Sequence, residues 1–358
     1  MKKNILIAAG GSGGHMTPAL VFHSHLKKDF NLFFSSDLRG LRYIDHKKIN
    51  LFVVRTPRIF SNYLLTPFKI IAVLLLVIKS IFFLKIKKID IILSMGGYAP
   101  VPLCLAGLIL RKKIFIYEPN QVLGNSNRFF LSNCEKIFCH SKNLKKYPDK
   151  FKRKLVLISP LVRKVFYSNK NKNKKNKKFN LMIIGGSQGA KKFDEYLHEV
   201  LLMLSKRLDL RVFHQTKENN VNKLKNFYNK NNISNKVFYF QKNFLELSKN
   251  CNFVITRAGA STLAELFILK IPFLAIPLPT SKDNHQYENA KYYNLKNCAW
   301  ILSEKKMNKK YLYSFLKKIL LNKKNFISKK KSIIKLNKDI SWQKQNKIII
   351  KEFYENRN

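Results

Sequence analysis

Short apolar runs alternate along this chain with longer stretches whose apolar residues recur at helical spacing. The runs are rich in isoleucine, valine and phenylalanine, and they end in glycine or polar turns. Strands of a parallel sheet are buried on both faces and are joined by helices, so this alternation predicts an α/β fold with parallel sheets. The predicted strands are residues 5–8, 89–93, 114–117, 134–140, 179–184, 211–214, 237–240, 253–256, 272–276 and 299–302.

A polar run divides the chain. Residues 168–178, SNKNKNKKNKK, contain no apolar side chain and cannot join a core, which predicts a linker. The plan of strand, glycine turn and helix then begins again, and 358 residues is a natural length for two domains. We therefore predict an N-terminal domain over 1–167, a C-terminal domain over 179–340, and a last helix over 341–358 that packs back on the N-terminal domain.

The first predicted strand enters a glycine-rich turn that carries one functional side chain, His15. Thr17 is a favourable N-cap and Pro18 a favourable first helical residue, so a helix is predicted from there. Met16 stands where the dinucleotide fingerprint G-x-G-x-x-G needs its third glycine, which disfavours NAD, although Asp37 after the second strand keeps that alternative open. A neutral His15 could act as a general base on a sugar hydroxyl, or it could simply pack or cap.

The stretch 252–267, NFVITRAGASTLAELF, reads as strand, tight turn and helix. A helix opening at Ser261 or Thr262 would present free N–H groups to a phosphate. Glu265, one turn further on, could then reach the two ribose hydroxyls of a nucleotide. The alternative is a capping box formed by Thr262 and Glu265, which needs no ligand.

Two further loops follow predicted strands, at Ser94 to Tyr98 and at Glu118 to Asn120. Loops after the carboxyl ends of strands meet over one crevice in an open α/β sheet, so we expect these to lie beside the first glycine turn. The segment 134–140, CEKIFCH, is interpreted as a strand rather than a metal site, because its side chains alternate and no second pair matches it.

Residues 62–88 are apolar in the middle and basic at both edges. The uncharged run 70–78 is far shorter than the ~20 residues that span a bilayer, and Lys79 interrupts the longer stretch, so no crossing is expected. Two interpretations stay open. The helix could lie in the headgroup region of an anionic membrane, or it could be buried between the sheet and its neighbours.

The net charge of +49, from 69 Lys and Arg against 20 Asp and Glu, favours polyanionic partners. The excess is mostly lysine accompanied by asparagine, which an A/T-rich genome would also produce. Five cysteines without a CxxC pair indicate reduced thiols in the cytosol, and the first strand follows Met-Lys-Lys too closely for a signal peptide. No nucleic-acid motif or aromatic platform is present, so nucleic acid is not an expected partner.

Seven segments occur in the same order as the motifs of one bacterial family: GGSGGHMTPAL, SMGGYAP, YEPN, SPLVR, IGGSQGA, TRAGASTLAE and DNHQYENA. From about Lys3 to the C-terminal helices, the chain resembles the UDP-N-acetylglucosamine:N-acetylmuramyl-(pentapeptide) pyrophosphoryl-undecaprenol N-acetylglucosamine transferases, the MurG-type glycosyltransferases. Seven ordered motifs are far more specific than any one of them.

The resemblance implies a GT-B fold, with two Rossmann-like parallel-sheet domains facing a cleft. It implies that the N-terminal domain binds the acceptor lipid I and docks on the membrane, while the C-terminal domain holds UDP-GlcNAc. The implied reaction is inverting transfer of GlcNAc to the 4-hydroxyl of MurNAc in lipid I, which gives lipid II for peptidoglycan synthesis. The implied location is peripheral, on the cytoplasmic face of the bacterial inner membrane, with other cell-wall synthesis proteins as further partners.

By their positions in these motifs, the resemblance also implies site residues. His15 is implied as the catalytic base. The residues implied to bind UDP-GlcNAc are Ser12, Gly13, Gly14, Asn120, Arg163, Ser187, Gln241, Ala260, Ser261, Thr262, Leu263, Ala264, Glu265 and Gln286. Those implied on the acceptor side are Gly96, Gly97, Tyr98 and Asn127. No cofactor and no metal are expected, since UDP-GlcNAc is a substrate and no D-x-D pair lies near the motifs.

The chain departs from the family pattern at a few positions. They are Ser12 for Thr, Tyr117 and Pro119 for the His and Gln of H-E-Q-N, Ser159 for Asn, and Gln241 for an apolar residue. We expect these changes to reshape the acceptor side while Asn120 and Arg163 remain. A glycosyltransferase with another lipid acceptor is the main alternative, and a basic nucleic-acid-binding protein is a more distant one.

Overall fold

The computed structural model of the chain describes residues 2–11, 13–44, 49–57, 66–168, 178–186, 190–239 and 244–355. The chain divides into two compact units. The first is Met1–Val162 together with Ser341–Asn358, and the second is Arg163–Ile340.

The first unit contains a seven-stranded sheet in the order β3-β2-β1-β4-β5-β6-β7, and every neighbouring pair is parallel. Its strands are β1 Asn4–Ala8, β2 Asn31–Ser36, β3 Leu51–Val53, β4 Ile91–Ser94, β5 Lys113–Tyr117, β6 Lys136–Cys139 and β7 Leu155–Leu157. The central strands are apolar on both faces because helices cover both sides of the sheet.

The helices of the first unit are α1 Gly13–Leu26, α2 Thr66–Ile86, α3 Val101–Ile109, α4 Asn125–Phe130 and α13 Trp342–Glu355. One core lies between the sheet and the pair α1 and α13, and the other lies under α2, α3 and α4. Short 3₁₀ turns occur at Leu41–Tyr43 and Asp149–Lys154.

The second unit contains a six-stranded parallel sheet in the order β10-β9-β8-β11-β12-β13. Its strands are β8 Phe179–Ile184, β9 Leu210–Gln215, β10 Ser234–Phe238, β11 Phe253–Thr256, β12 Phe273–Ala275 and β13 Ala299–Ile301. Its helices are α5 Lys164–Tyr167, α6 Lys191–Ser205, α7 Val221–Lys230, α8 Phe244–Ser248, α9 Ala260–Ile268, α10 His285–Leu295, α11 Lys309–Leu321 and α12 Lys323–Leu336. Further 3₁₀ turns lie at Glu218–Asn220, Lys282–Asn284 and Glu304–Lys306.

These two sheets confirm the predicted fold class of two Rossmann-like parallel-sheet domains. The predicted strands at 179–184 and 253–256 have the observed bounds. Segment 134–140 does form a strand, over Lys136–Cys139. The prediction at 237–240 was placed too late, because the strand Ser234–Phe238 starts with polar residues at the edge of the sheet and its pattern is weak.

The division between the units falls before Arg163. Phe166 of α5 is buried and lies 6.5 Å, ring to ring, from Phe244 of α8, which attaches α5 to the second unit. The predicted linker 168–178 stays a prediction, since residues 169–177 lie outside the described part of the chain.

Helix α2 presents two different faces. Val73, Val77, Ser80 and Leu84 recur at helical spacing and are buried in the first unit. The opposite face exposes apolar side chains to solvent, and Leu75 and Phe82 are each 62% exposed. By length and composition alone, this 21-residue helix could also cross a membrane. The shorter uncharged run 70–78 did not indicate this possibility.

The C-terminal helix α13 completes the core of the first unit. Phe353 is fully buried, with its ring 4.6 Å from that of Phe115 and 5.7 Å from that of Phe138. Near the start of the helix, Trp342 stacks on His25 at 3.6 Å between ring centroids. The last segment of the chain therefore contributes to the same core as the first strands.

We expect Phe353→Ala to destabilise the first unit by about 3–5 kcal/mol, because the change removes a buried ring and leaves a cavity between strands and helix. Ile348→Ala is the matched control on the same helix, since Ile348 is 40% exposed and should change stability little. Urea unfolding followed by circular dichroism measures both. Equal losses for the two variants would contradict a core role for α13.

Candidate active site

The glycine turn after β1 is held by an acidic side chain from the loop after β2. Asp37 accepts the backbone N–H of Gly11 at 2.8 Å and that of Gly40 at 3.0 Å. Its other oxygen accepts a two-pronged bond from Arg39 at 3.0 and 2.7 Å. These donors lower the pKa of the Asp37 carboxyl against the opposing effect of burial. Asp37 therefore holds the glycine turn in place. This structural role explains an acidic residue after β2, the position that kept NAD open as an alternative.

Helix α1 begins at Gly13, five residues before Pro18, the predicted first helical residue. The prediction was wrong because Pro18 is accepted inside the helix, where its φ is compatible and only the N–H that Gly14 C=O would accept is missing. Gly11, with φ +81°, makes the turn that releases the chain into the helix. His15 therefore lies in the first helical turn, with Gly13 and Gly14 directly before it.

His15 is oriented by a backbone carbonyl. Its Nδ1 lies 2.8 Å from the carbonyl oxygen of Met95, which can only accept, so Nδ1 carries the hydrogen. In the neutral imidazole, Nε2 then keeps its lone pair. A Cβ built on Gly97 would lie 3.5 Å from this Nε2, so the nitrogen faces the turn after β4. The arrangement suits a general base.

The turn after β4 contains the residues predicted on the acceptor side. Gly96 and Gly97 have φ of +76° and +80°, which favours glycine at both positions. A Cβ on Gly96 would lie 3.0 Å from the amide of Asn127, which is buried in α4. Tyr98 is 42% exposed beside them. The structure brings Gly96, Gly97, Tyr98 and Asn127 together with His15 at one edge of the sheet.

Glu118 was missed as a site residue. It is buried directly after β5 and accepts four N–H donors, two from Asn120 and one each from Gly124 and Asn127. Burial raises the pKa of its carboxyl, and these hydrogen bonds partly oppose that rise. The sequence signal that could have found Glu118 is an acidic residue immediately after an apolar strand, because a charge buried there needs hydrogen-bond partners.

The departure at Tyr117 is absorbed by the core of the first unit. Its hydroxyl donates to Nε2 of His140 at 2.9 Å, while Nδ1 of His140 donates to the carbonyl of Ile158 at 3.2 Å. The His140 ring is neutral, because burial lowers its pKa to about 4. At Ser159, backbone N and O both bond the side chain of Gln345, at 3.1 and 2.7 Å. The phenol of Tyr117 is only 2% exposed.

In the second unit, α9 begins at Ala260, with Gly259 as N-cap and no side-chain cap. Thr262 is therefore the third helical residue, and the capping-box alternative is wrong. The turn after β11 is tight enough for Gly259 to start the helix, and its carbonyl accepts the N–H of Leu263 at 3.1 Å. The N–H groups of Ala260, Ser261 and Thr262 precede any intrahelical acceptor and point out of the helix end.

The start of this helix has room beside Gly259. A Cβ built on Gly259 would meet no atom within 4 Å in the described structure. The Ser261 hydroxyl oxygen is shielded and has no hydrogen-bond partner among the described residues. The helix dipole and these donors together suit an anion. Leu263 and Ala264 are buried and fix the helix against the sheet.

Glu265 lies one turn into α9, on the same helix as these donors. Burial raises the pKa of its carboxyl to about 7, while the charge of Arg163 acts in the opposite direction. Arg163 is exposed at the N-terminus of α5, with its guanidinium 5.2 Å from the ring centre of Phe166. A carboxylate that titrates near neutrality is typical of a functional position.

Gln286, in the first turn of α10, is locked in one orientation. Its Oε1 accepts the N–H of Ala258 at 3.2 Å and of Leu278 at 3.0 Å. The amide NH₂ must therefore point the other way, as a donor. Asp283 and Asn284, just before α10, have φ of +53° and +54°, which is uncommon for residues with a side chain. This backbone directs the chain into the helix at Gln286.

The remaining predicted residues fall into two groups. Asn120 donates its side-chain amide to Glu118 at 3.1 Å, in the loop after β5. Ser12, Ser187 and Gln241 lie outside the described residues. Within the described ranges, no group of three or more His, Cys, Asp or Glu side chains could hold a metal ion.

The N-terminal domain of glycosyltransferase family 28 matches residues 5–139, and the C-terminal domain of that family matches residues 180–345. The UDP-N-acetylglucosamine--N-acetylmuramyl-(pentapeptide) pyrophosphoryl-undecaprenol N-acetylglucosamine transferase of Pelagibacter ubique is 43% identical over 356 residues, 99% of this chain and 100% of that protein. The enzyme of the same name from Rickettsia bellii is 34% identical, over 94% of this chain and 96% of its own. The crystal structure of Acinetobacter baumannii MurG has a TM-score of 0.79 at 23% identity and covers 98% of this chain and 100% of that one.

Two parallel-sheet units, each matching one domain of glycosyltransferase family 28, define a two-domain glycosyltransferase of the predicted GT-B class. Sequence identity over nearly the full length of two curated relatives then shows the family within this class. The chain belongs to the family of UDP-N-acetylglucosamine--N-acetylmuramyl-(pentapeptide) pyrophosphoryl-undecaprenol N-acetylglucosamine transferases.

The raised pKa of Glu265 predicts how the stability of the folded protein changes with pH. Its folded-state value is about 7 against an ordinary 4.5, so the fold favours the protonated carboxyl. Ionisation costs stability increasingly as the pH rises from 4.5 to about 7. Glu265→Gln should therefore melt at a higher temperature than the natural protein at pH 8 but not at pH 4. Thermal unfolding at the two pH values measures this.

Glu246→Gln is the control for that comparison, because Glu246 is an exposed carboxylate in the same unit, paired with Lys249. It should gain no stability at alkaline pH. An advantage of Glu265→Gln that is equal at both pH values would contradict the raised pKa.

Proposed function

We propose that this protein transfers GlcNAc from UDP-GlcNAc to the 4-hydroxyl of MurNAc in lipid I, giving lipid II for peptidoglycan synthesis. The observation that carries the proposal is the 43% identity, over 99% of the chain, to a relative with that name. The chemistry of the two sheet edges is consistent with it: one offers a histidine base, and the other offers donors for a nucleotide diphosphate.

The donor nucleotide binds mainly to the second unit. The free N–H groups at the start of α9 take the phosphates, and Glu265 accepts the ribose hydroxyls. Gln286 donates its outward NH₂ to the GlcNAc hydroxyls. The other residues proposed to bind the donor are Ser12, Gly13, Gly14, Asn120, Arg163, Ser187 and Gln241.

The chemical step is a displacement at the anomeric carbon. Nε2 of His15 takes the proton of the acceptor hydroxyl as its oxygen attacks, the bond from the sugar to the UDP oxygen breaks, and the configuration inverts. Negative charge grows on the leaving diphosphate, where the start of α9 and Arg163 stabilise it. The acceptor sugar is positioned beside Gly96, Gly97, Tyr98 and Asn127. These groups supply the step without a cofactor or a metal.

The acceptor carries a long lipid, so the enzyme works at the cytoplasmic face of the inner membrane as a peripheral protein. Helix α2 supplies the contact through its exposed apolar face, while its other face stays packed in the first unit. The exposed apolar residues are Phe68, Ile70, Ile71, Leu74, Leu75, Ile78, Phe82 and Ile86. Lys79, Lys85, Lys87 and Lys88 are exposed near them and favour an anionic surface. Other cell-wall synthesis proteins are further partners.

Transfer of labelled GlcNAc from UDP-GlcNAc to a short-chain lipid I analogue in detergent tests the reaction. We expect His15→Ala to lower kcat by roughly 10²- to 10⁴-fold, because it removes the base. Glu265→Ala should mainly raise KM for UDP-GlcNAc, because it removes an acceptor for the ribose hydroxyls. His23→Ala, on the same helix as His15, is the matched control and should change neither constant.

No transfer to lipid I by the natural protein, with UDP-GlcNAc still bound, would contradict the proposed acceptor. Diacylglycerol is then the next acceptor to assay, because a glycosyltransferase of the same fold could use another lipid.

Cosedimentation with phosphatidylglycerol vesicles tests the membrane contact. Leu75→Glu with Phe82→Glu should weaken binding more than tenfold, because each burial is worth about 1.5–3 kcal/mol. Leu295→Glu is the control, since Leu295 is 75% exposed in the second unit. Binding should also fall at high salt and on phosphatidylcholine vesicles. Unchanged binding of the double variant, or equal loss in the control, would contradict the role of α2.

A further inference from the structure

Glu118 is a buried carboxylate directly after β5. We propose that Glu118 is a positioning residue, whose carboxylate holds the loops after β4 and β5 so that Asn120 and His15 keep their working geometry. The kinetic part of this proposal rests on the proposed function. The structural part, that one carboxylate supports two loops, does not.

The Glu118 carboxylate accepts four N–H donors. Oε1 accepts the backbone N–H of Asn120 and its side-chain amide, both at 3.1 Å. Oε2 accepts the backbone N–H of Gly124 and the side-chain amide of Asn127, both at 2.9 Å. All four donors need a carboxylate with two accepting oxygens, because a carboxamide would turn an NH₂ towards two of them. A carboxylate at Glu118 therefore satisfies all four donors of this loop, and a carboxamide would not.

Asn127 links Glu118 to the loop after β4. Its NH₂ donates to Glu118 and also to the carbonyl of Tyr117 at 3.1 Å, so both amide hydrogens are used and the amide cannot turn over. The same amide would lie 3.0 Å from a Cβ on Gly96. The turn at Gly96 therefore packs beside the Asn127 amide, with no room for a side chain between them.

The turn after β4 lies beside His15. Met95, directly before the turn, accepts the Nδ1 hydrogen of His15 at 2.8 Å. Gly97 faces Nε2, since a Cβ built on Gly97 would lie 3.5 Å from that nitrogen. A displaced turn would therefore move or reorient the imidazole. The proposed route runs from Glu118 through Asn127 and the turn after β4 to His15, and all of these groups lie within the first unit.

Glu118 is 2% exposed, and among the described residues its carboxylate bonds only the loop groups already named. A buried charge is retained only where its hydrogen bonds are satisfied. Here the hydrogen bonds hold Asn120, which is predicted to bind the donor, and support the turn beside His15.

The test compares Glu118→Gln with the natural protein by steady-state kinetics and by hydrogen–deuterium exchange. Loss of charge-assisted hydrogen bonds should lower kcat on the order of tenfold to a hundredfold and raise KM for UDP-GlcNAc. Amide exchange should become faster at residues 95–98 and at 120–124. Glu352→Gln is the control, because Glu352 is a half-buried carboxylate of the same unit on α13, far along the chain from these loops. It should leave kcat and exchange unchanged.

A double-mutant cycle with Asn127→Ala tests the route. If Glu118 acts on His15 through Asn127, the losses of kcat will not add, and Asn127→Ala alone will speed exchange at residues 95–98. Additive losses, or natural exchange at 95–98 in Glu118→Gln, would overturn the proposal. Should Glu118→Gln fail to fold, Asn127→Ala decides by the same exchange measurement. Failure of the natural protein to use lipid I would overturn the proposed function alone, since the exchange result stands independently.

Discussion

Parallel pairing of the strands is the constraint on which both candidate sites depend. Because all strands of each sheet run the same way, their carboxyl ends lie along one edge, and the loops that follow them gather there. In the first unit that edge carries His15, the Gly96 turn and the Glu118 loop, although long stretches of sequence separate them. In the second unit it carries the start of α9 after β11 and Gln286 after β12.

Side-chain acceptors hold these loops in place. Asp37, Glu118 and Gln286 each accept two or more backbone or amide N–H donors at the end of a strand. Loops expose backbone groups that the sheet no longer pairs, and each such group buried without a partner would cost free energy. Using a side chain for this purpose fixes the loop and leaves the remaining polar atoms pointing in one direction. This is how Gln286 comes to offer only its NH₂.

Much of the fold could be predicted from the sequence, because periodicity and turn residues are local features of the chain. Apolar runs ending in glycine turns predicted the parallel-sheet class of both units, and ordered motifs predicted roles for His15, Glu265 and Gln286 that stay predictions. The start of α1 was misplaced because Pro18 is an N-terminal signal by itself, whereas tertiary contacts to Gly11 and Met95 set the actual start. The capping box of Thr262 failed for a similar reason: the pattern was present, but the N-cap is Gly259, three residues before Thr262.

The sequence by itself determined the two parallel-sheet domains, the family and the residue types at the sites, since each is written in short-range periodicity or ordered motifs. Only the tertiary structure decided that Tyr117 faces the core, that Glu118 collects four donors, and that α2 divides into a packed face and an exposed face. These features depend on which groups meet from distant parts of the chain. Hydrogen bonds, burial and the pKa of Glu265 arise from that meeting, and no local pattern specifies it.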